Sequence, residues 1–555
     1  MITAVLQNLK AKQIYFVVGV PFLIYLLHMS LFGKWIIDDA GISFAYSRNL
    51  TQGFGLVSQP GAEPVEGFSN LAWVLLFVPF HILKLFHPAY TPKLMSAILV
   101  LFLFITMFKI IRLLSAGYII VSFICLIFLS LNTSFAVWTS SGLENPLYVF
   151  LIFSLLYQMI KISLNPESKS IIAAEVIIFL LAITRPEGIL YLLVPVIFSL
   201  SNYFFRKEKI NKNAAELFLY LFVFISLFGG LLILRLFYFK DILPNTYYAK
   251  GGPDLADLKN LLLLKPDIYK GISELFGSAF PVWGNLLFFI TVILTTYLVA
   301  IKSFSKQHLL LFLILAVSII NYFLLPEDWM KEYRFATPFF PILYSYLLIL
   351  FGNFINKFKW KNLRKEISFT ILVIIFLLPA ALSFQKRSYV FRNNPTVPFQ
   401  MVVDKYCSTF DNYASLFHVK NGSLLLPDIG GPLYYSKLKI YDIAGLTDRT
   451  IAKTLEINQK DFYDYIFKTI KPTFIHVHEI WAYRANLDSD KRFREDYEPI
   501  TEYIEPSIEK KYGNLRVYSG NYIRKDILKG RTELLQKISR LSDDSDDSED
   551  SDDLY

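Results

Sequence analysis

The sequence has little of what most chemistry-bearing soluble proteins use: among 555 residues there are two cysteines and seven histidines, and 18% of the chain is charged. Cys125 sits inside an apolar run and Cys407 in the polar C-terminal part, which argues against a disulfide between them and excludes a thiolate metal site. There is no GxxxxGK[ST] phosphate loop, no HExxH and no GxSxG. P-loop chemistry, HExxH zinc peptidases and nucleophile-elbow hydrolases are thereby set aside. No internal repeat is evident, and most long apolar runs carry no charge in their interior, which weakens a transporter built from duplicated halves.

What is present is apolar. Hydrophobic residues make up 54% of the chain, 51 of them Phe, too apolar for an ordinary soluble protein and characteristic of an integral membrane protein. The net charge of +9 comes from short basic clusters between apolar runs, a pattern that speaks of membrane orientation and not of nucleic acid. Spanning-length runs fall near 14–33, 93–112, 117–135, 143–161, 170–184, 188–205, 215–238, 282–301, 307–325, 336–356 and 367–385, about eleven transmembrane helices. The first follows Lys10 and Lys12 without a small-residue cleavage pattern and reads as an uncleaved anchor. The run 68–87 is interrupted by Pro79, His81, Lys84 and His87, so it reads as an interfacial or re-entrant helix.

If 68–87 does not cross, the clusters Lys109/Arg112, Lys161/Lys169, Arg206 to Lys212, Lys302/Lys306 and Lys357 to Lys365 share the cytoplasmic side with the N-terminus. The expected organisation is then a membrane domain over 1–385, an extracytoplasmic soluble α/β domain over 386–540 and an acidic disordered tail over 541–555. Strand-like runs at Ser423 to Pro427 and Thr473 to His478 carry the α/β expectation. His476 and His478 alternate with apolar residues and share one strand face, a spacing that suits a metal but has no cysteine beside it.

The same topology gathers five polar stretches on the outer side: Asp38-Asp39 through Asn70, Trp138 to Glu144, Arg185-Pro186-Glu187-Gly188, Pro244 to Lys250 and Glu327 to Arg334. Each has a plainer reading. Asp38 and Asp39 suit a helix start, as does Glu144 before Asn145-Pro146. Arg185 to Gly188 suits a tight turn; Lys331 and Arg334 suit snorkelling at the interface, and Tyr247 and Tyr248 an aromatic belt. All five falling on one face points to a shared cavity at the membrane boundary, because two adjacent carboxylates there are costly unless used.

These stretches, Asp38-Asp39-Ala40, Arg48-Asn49-Leu50, Val65-Glu66-Gly67-Phe68-Ser69-Asn70, Ser141-Gly142-Leu143-Glu144, Arg185 to Gly188, Pro244 to Tyr248 and Asp328-Trp329-Met330, resemble the GT-C superfamily. Within it the chain is most similar to bacterial terminal β-(1→2)-arabinofuranosyltransferases of the cell envelope. The likeness spans about residues 30–345 and continues through Leu426 to Gly430 and Asp442 to Asp448. It departs at Gly41, where relatives often carry Tyr, and at Pro326-Glu327, where they carry paired glycines. The resemblance implies an inverting glycosyltransferase of the plasma membrane that takes a sugar from a polyprenyl-phosphate donor to an envelope glycan or glycolipid. It implies catalytic roles for Asp38, Asp39 and Glu144, with one Asp as base. It implies phosphate contacts from Arg185, Lys250, Lys331 and Arg334, and substrate contacts from Arg48, Glu66, Asn70, Asn245, Tyr247, Tyr248, Asp328 and Trp329. No metal ligand is assigned, no cofactor is certain and a divalent cation is left open. Membrane lipids are expected partners, nucleic acid is not, and a transporter or an envelope-assembly scaffold is the alternative.

Single cysteines at positions 38, 144, 185 and 400 are expected to react with an impermeant thiol reagent from outside, and at 207 and 209 only after permeabilisation. Outside labelling of the Arg206 to Lys212 segment would undo the shared-cavity argument.

Overall fold

The computed structural model describes residues 11–115, 119–165, 167–206, 210–251, 266–326, 328–355, 362–512, 516–528 and 535. Lys207, Lys209, Glu327, Lys357 to Lys361 and the tail 541–555 lie outside the described residues. Helices dominate, since apolar backbone away from water can satisfy its N–H and C=O groups only internally. In order they are α1 (Ala11–Ser30), α2 (Ala40–Thr51), α3 (Leu71–Ile82), α4 (Thr91–Leu114), α5 (Ile119–Leu131), α6 (Thr133–Ser140), α7 (Asn145–Leu164), α8 (Ser168–Thr184), α9 (Leu193–Arg206), α10 (Ile210–Tyr238), α11 (Asn245–Lys250), α12 (Pro266–Ala279), α13 (Gly284–Ala300), α14 (Lys306–Leu324), α15 (Phe339–Ile355) and α16 (Asn362–Asn393). A 3-10 turn, Pro186–Leu192, joins α8 to α9.

Among the described residues each of the eleven apolar runs falls mostly on helix. By length and composition, four described helices can cross a membrane alone, or six crossings result if each bent pair counts as one. The bends are 67° between α5 and α6 and 103° between the α12 and α13 segments. Segments Ile14–Ser30, Leu71–Ile82, Pro186–Asn202 and Phe339–Ile355 are apolar but shorter. Helix α3 has 12 residues, about 18 Å at 1.5 Å per residue, too short to cross. It buries Trp73, Val74 and Phe77 while Ile82, Leu83 and Leu85 stay exposed at its end.

The bundle core is one continuous cluster that includes Tyr25, Phe104, Ile152, Leu181, Ile314 and Tyr344. Beyond α16 the chain builds a five-stranded sheet of order β2-β1-β3-β5-β4. Strand β1 (Ser423–Leu426) pairs in parallel with β2 (Lys439–Asp442) and with β3 (Phe474–Val477). Strands β4 (Tyr497–Ile504) and β5 (Tyr518–Arg524) add an antiparallel pair through β3. With helices interleaved, this is the expected α/β part, and β1 and β3 coincide with the two strand-like runs. The short helix α17 (Gly430–Tyr435) follows β1.

Sheet and bundle share a core: Ile42, Ala45, Tyr46, Phe68, Val74 and Phe239 pack with Phe410, Leu424, Leu426 and Phe474. The closest approach is between two glycines. A Cβ at Gly41 would lie 2.4 Å from the Gly430 carbonyl oxygen and 2.6 Å from the Phe399 ring, and one at Gly430 would lie 1.8 Å from the Asp38 carbonyl oxygen. This contact has no room for the Tyr that the resembled family carries at position 41. Gly41→Ala is therefore expected to destabilise the junction by about 1–3 kcal/mol. Thermal unfolding and limited proteolysis of the C-terminal part check it; an unchanged melting temperature and cleavage rate would refute the contact.

Candidate active site at the junction of bundle and sheet

The acidic pair divides its work. Both Asp38 oxygens accept backbone N–H groups of the sheet part, Oδ2 from Gly430 and Oδ1 from Gly431, each at 2.8 Å. Burial, then Asp428, push the Asp38 carboxyl well above the usual carboxylate range, while these two N–H groups oppose the rise. Asp39 occupies the N-cap position of α2 but makes no side-chain capping bond, and it is half-buried. Capping does not explain it.

Around Asp39 the cations gather. Asp39, Arg334, Arg185 and Asp328 all lie within electrostatic reach of the Lys250 ammonium. Lys250 is exposed to solvent at the end of α11. Arg185 is held between two acids, donating from Nη1 to Glu144 at 2.8 Å and from Nε to Glu187. Asn70 donates to the other Glu144 oxygen at 2.9 Å. Glu144 makes no side-chain cap bond to α7, so it serves this network. Arg334 donates from Nε and Nη2 to Asp328 at 3.1 and 3.2 Å and lies 4.4 Å from the Phe335 ring centre. Asn145, Tyr148, Arg185, Glu187, Asn321 and Arg334 line part of a small pocket.

Other expected site residues belong to the junction. Glu66 forms a buried two-pronged pair with Arg235 of α10, at 2.8 and 2.9 Å. Arg48 donates to the carbonyls of Tyr434 and Leu433 at the end of α17, and Asn245 donates to those of Gly445 and Leu446. Tyr248 bonds Asp241 and lies under Lys453. Lys331 reaches the Asn394 carbonyl at 2.9 Å and is exposed. Tyr247 and Trp329 are exposed.

Sequence reasoning passed over Glu187 as an ion partner, Arg235, and a group at the C-terminal ends of β1 and β3. There Asp428, two residues past β1, faces His478, one past β3: His478 Nε2 lies 3.4 Å from Asp428 Oδ2. The chain leaves β1 for neighbours on both sides, so this is the sheet's topological switch point, where open α/β sheets place ligands. The period-2 alternation of His476 and His478 was the one available signal. Among the described residues no three His, Cys, Asp or Glu side chains are grouped to hold a metal ion.

Residues 414–522 match the family model "Domain of unknown function (DUF8728)". No curated protein matches the chain. Solved structures do. The oligosaccharyltransferase of Archaeoglobus fulgidus, in complex with Zn and sulfate, aligns with TM-score 0.56 and 12% identity over 91% of this chain and 73% of that one. AglB of the same organism, with an inhibitory peptide and a dolichol-phosphate, gives 0.54 and 11% over 92% and 75%. ArnT from Cupriavidus metallidurans, bound to undecaprenyl phosphate, gives 0.50 and 12% over 93% and 98%. At such identities the likeness is one of fold alone, a helical bundle followed by a C-terminal sheet.

Arg235→Ala leaves Glu66 buried without its partner and is expected to destabilise the protein by about 3–5 kcal/mol. Arg235→Met with Glu66→Leu is expected to recover most of that. Thermal unfolding of both variants checks the assignment; a stable, folded Arg235→Ala protein would return Glu66 to the list of substrate contacts.

Proposed function

We propose that the chain is a membrane glycosyltransferase that moves a sugar from a polyprenyl-phosphate donor to a hydroxyl of an envelope glycan or glycolipid, with inversion at the anomeric carbon. The observation that carries this reading is Asp39: a half-buried carboxylate with no capping bond, within electrostatic reach of Lys250, on which Arg185 and Arg334 also act. The neighbours' printed partners, a dolichol-phosphate and undecaprenyl phosphate, support a lipid-linked donor.

In this reading Asp39 takes the acceptor's hydroxyl proton as that oxygen attacks the anomeric carbon. The carbon–oxygen bond to phosphate breaks, and the lipid phosphate leaves with one more negative charge. Arg185, Arg334 and Lys250 meet that charge, the two arginines offering guanidinium forks already aimed by Glu144, Glu187 and Asp328. Asp38 is a positioning residue that fixes the sheet against α2. Asn70 and Glu144 orient Arg185; Tyr247 and Trp329 stay available to an acceptor. Arg48, Glu66, Asn245 and Tyr248 hold the junction together. Residues 1–385 form the membrane domain and 386–540 the soluble one, followed by the acidic tail. The N-terminus is cytoplasmic, and the site opens on the outer face of the plasma membrane. The sugar is a pentose in the arabinofuranosyltransferase-like reading.

Purified protein given labelled polyprenyl-phosphate pentoses and hexoses tests this directly, since a transporter or a scaffold would form no glycosidic product. Asp39→Asn is expected to lower turnover by about 10²–10⁴, whereas Asp38→Asn should chiefly loosen the junction. Near-normal turnover in Asp39→Asn would remove it as the base.

A further inference from the structure

A chain of polar contacts runs inward from the junction. Asn521 Oδ1 lies 2.7 Å from His476 Nδ1, His476 Nε2 lies 3.0 Å from His478 Nδ1, and His478 Nε2 lies 3.4 Å from Asp428 Oδ2. Burial lowers both imidazoles, His476 to about 3 and His478 to about 4. Both are therefore neutral at neutral pH, with one N–H and one lone pair each.

That restriction gives the chain a direction. The Asn521 carbonyl oxygen can only accept, so His476 donates from Nδ1; the Gly520 backbone carbonyl also favours a proton on His476. His476 Nε2 then accepts, and His478 must donate from Nδ1. This leaves a lone pair on His478 Nε2, an atom that lies 3.4 Å from a carboxyl oxygen of Asp428. Two acceptors face each other unless Asp428 carries the proton.

We propose that His476 and His478 hold Asp428 in its carboxylic-acid form, so that the soluble domain presents a neutral acid within electrostatic reach of Asp39. This rests on the glycosyltransferase reading for its purpose but not for its chemistry. The groups facing Asp428 are consistent with a neutral acid. Asp38 and Asp39 come from the loop before α2, Glu479 from the end of β3, and Lys405 and Tyr406 from the segment after α16; Glu505 acts on His478 from behind. Burial, then Asp39 and Glu479, raise Asp428 to about 7 against the opposing Lys405. A second anion beside Asp39 would also repel an incoming lipid phosphate. Donor binding should therefore be strong while Asp428 is protonated and weaken as pH rises through about 7.

His478 and His476 act through Asp428, and Asp428 through Asp39; all three are positioning residues. Two measurements test them. The first needs no turnover: infrared spectra of the purified protein, stepped in pH, should show a carboxylic-acid C=O band that Asp428→Asn lacks. The band should fade near pH 7, and at lower pH in His478→Ala, whose Asp428 has lost its acceptor. The second is kinetic, with a polyprenyl-phosphate sugar as probe. Asp428→Asn, which still donates to His478, should keep kcat within about threefold of wild type. It should also lose the rise in donor KM above neutral pH. Absence of the infrared band below pH 7 overturns the proposal, as does a hundredfold fall in kcat for Asp428→Asn, which would make Asp428 a base. A wild type that shows the band but transfers no sugar overturns the glycosyltransferase reading and leaves the protonated acid standing.

Discussion

The rest of the structure depends on one short contact, the Asp38 carboxyl group seated on the N–H groups of Gly430 and Gly431. A buried carboxyl group needs donors, and the bundle offers it none as good as two adjacent backbone amides. The sheet supplies them at the start of α17, and the glycines let the two backbones meet. Once Asp38 is fixed there, its neighbour Asp39 faces the cavity instead of capping α2. One seated carboxyl group thus places the other, and it sets Asp428 opposite both.

The remaining charges follow the same logic of paired burial. Arg185 lies between Glu144 and Glu187, Arg334 against Asp328, and Arg235 against Glu66, each pair nearly closed to solvent. None of these groups is stable alone in such surroundings. Pairing keeps the cations charged and aimed, and an arriving anion meets donors whose directions are already set. The pairs at Arg185 and Arg334 line the cavity, while the pair at Glu66 holds α10 to the loop before α3. The same chemistry serves reactivity in one place and cohesion in the other.

Much of this was legible in the residues. Spanning-length apolar runs gave the helices, interruptions by Pro79, His81 and Lys84 gave the short α3, and period-2 alternation gave β1 and β3. That Asp39, Arg185, Asp328 and Arg334 come within electrostatic reach of Lys250 matches the expectation that their stretches share one face. What could not be read was pairing across the chain. Glu66 and Asn245 look alike as polar residues beside glycine and proline, yet one meets a guanidinium of a membrane helix and the other two carbonyls of the sheet. Nothing local to Asp38 announces partners near residue 430. His476 and His478 gave a spacing but not the carboxyl that completes them.

The Asp38 contact joins residues 392 positions apart, and this bears on assembly. Loop closure over such a separation comes late, and a chain made at about 5–20 residues per second spends on the order of 20–80 s between the two ends of the contact. For that interval the acidic pair sits at the membrane boundary without its donors, and α2 has no sheet to pack on. The site is then the last thing the chain completes. The junction of bundle and sheet is withheld by the order of synthesis itself until the sheet has folded and docked.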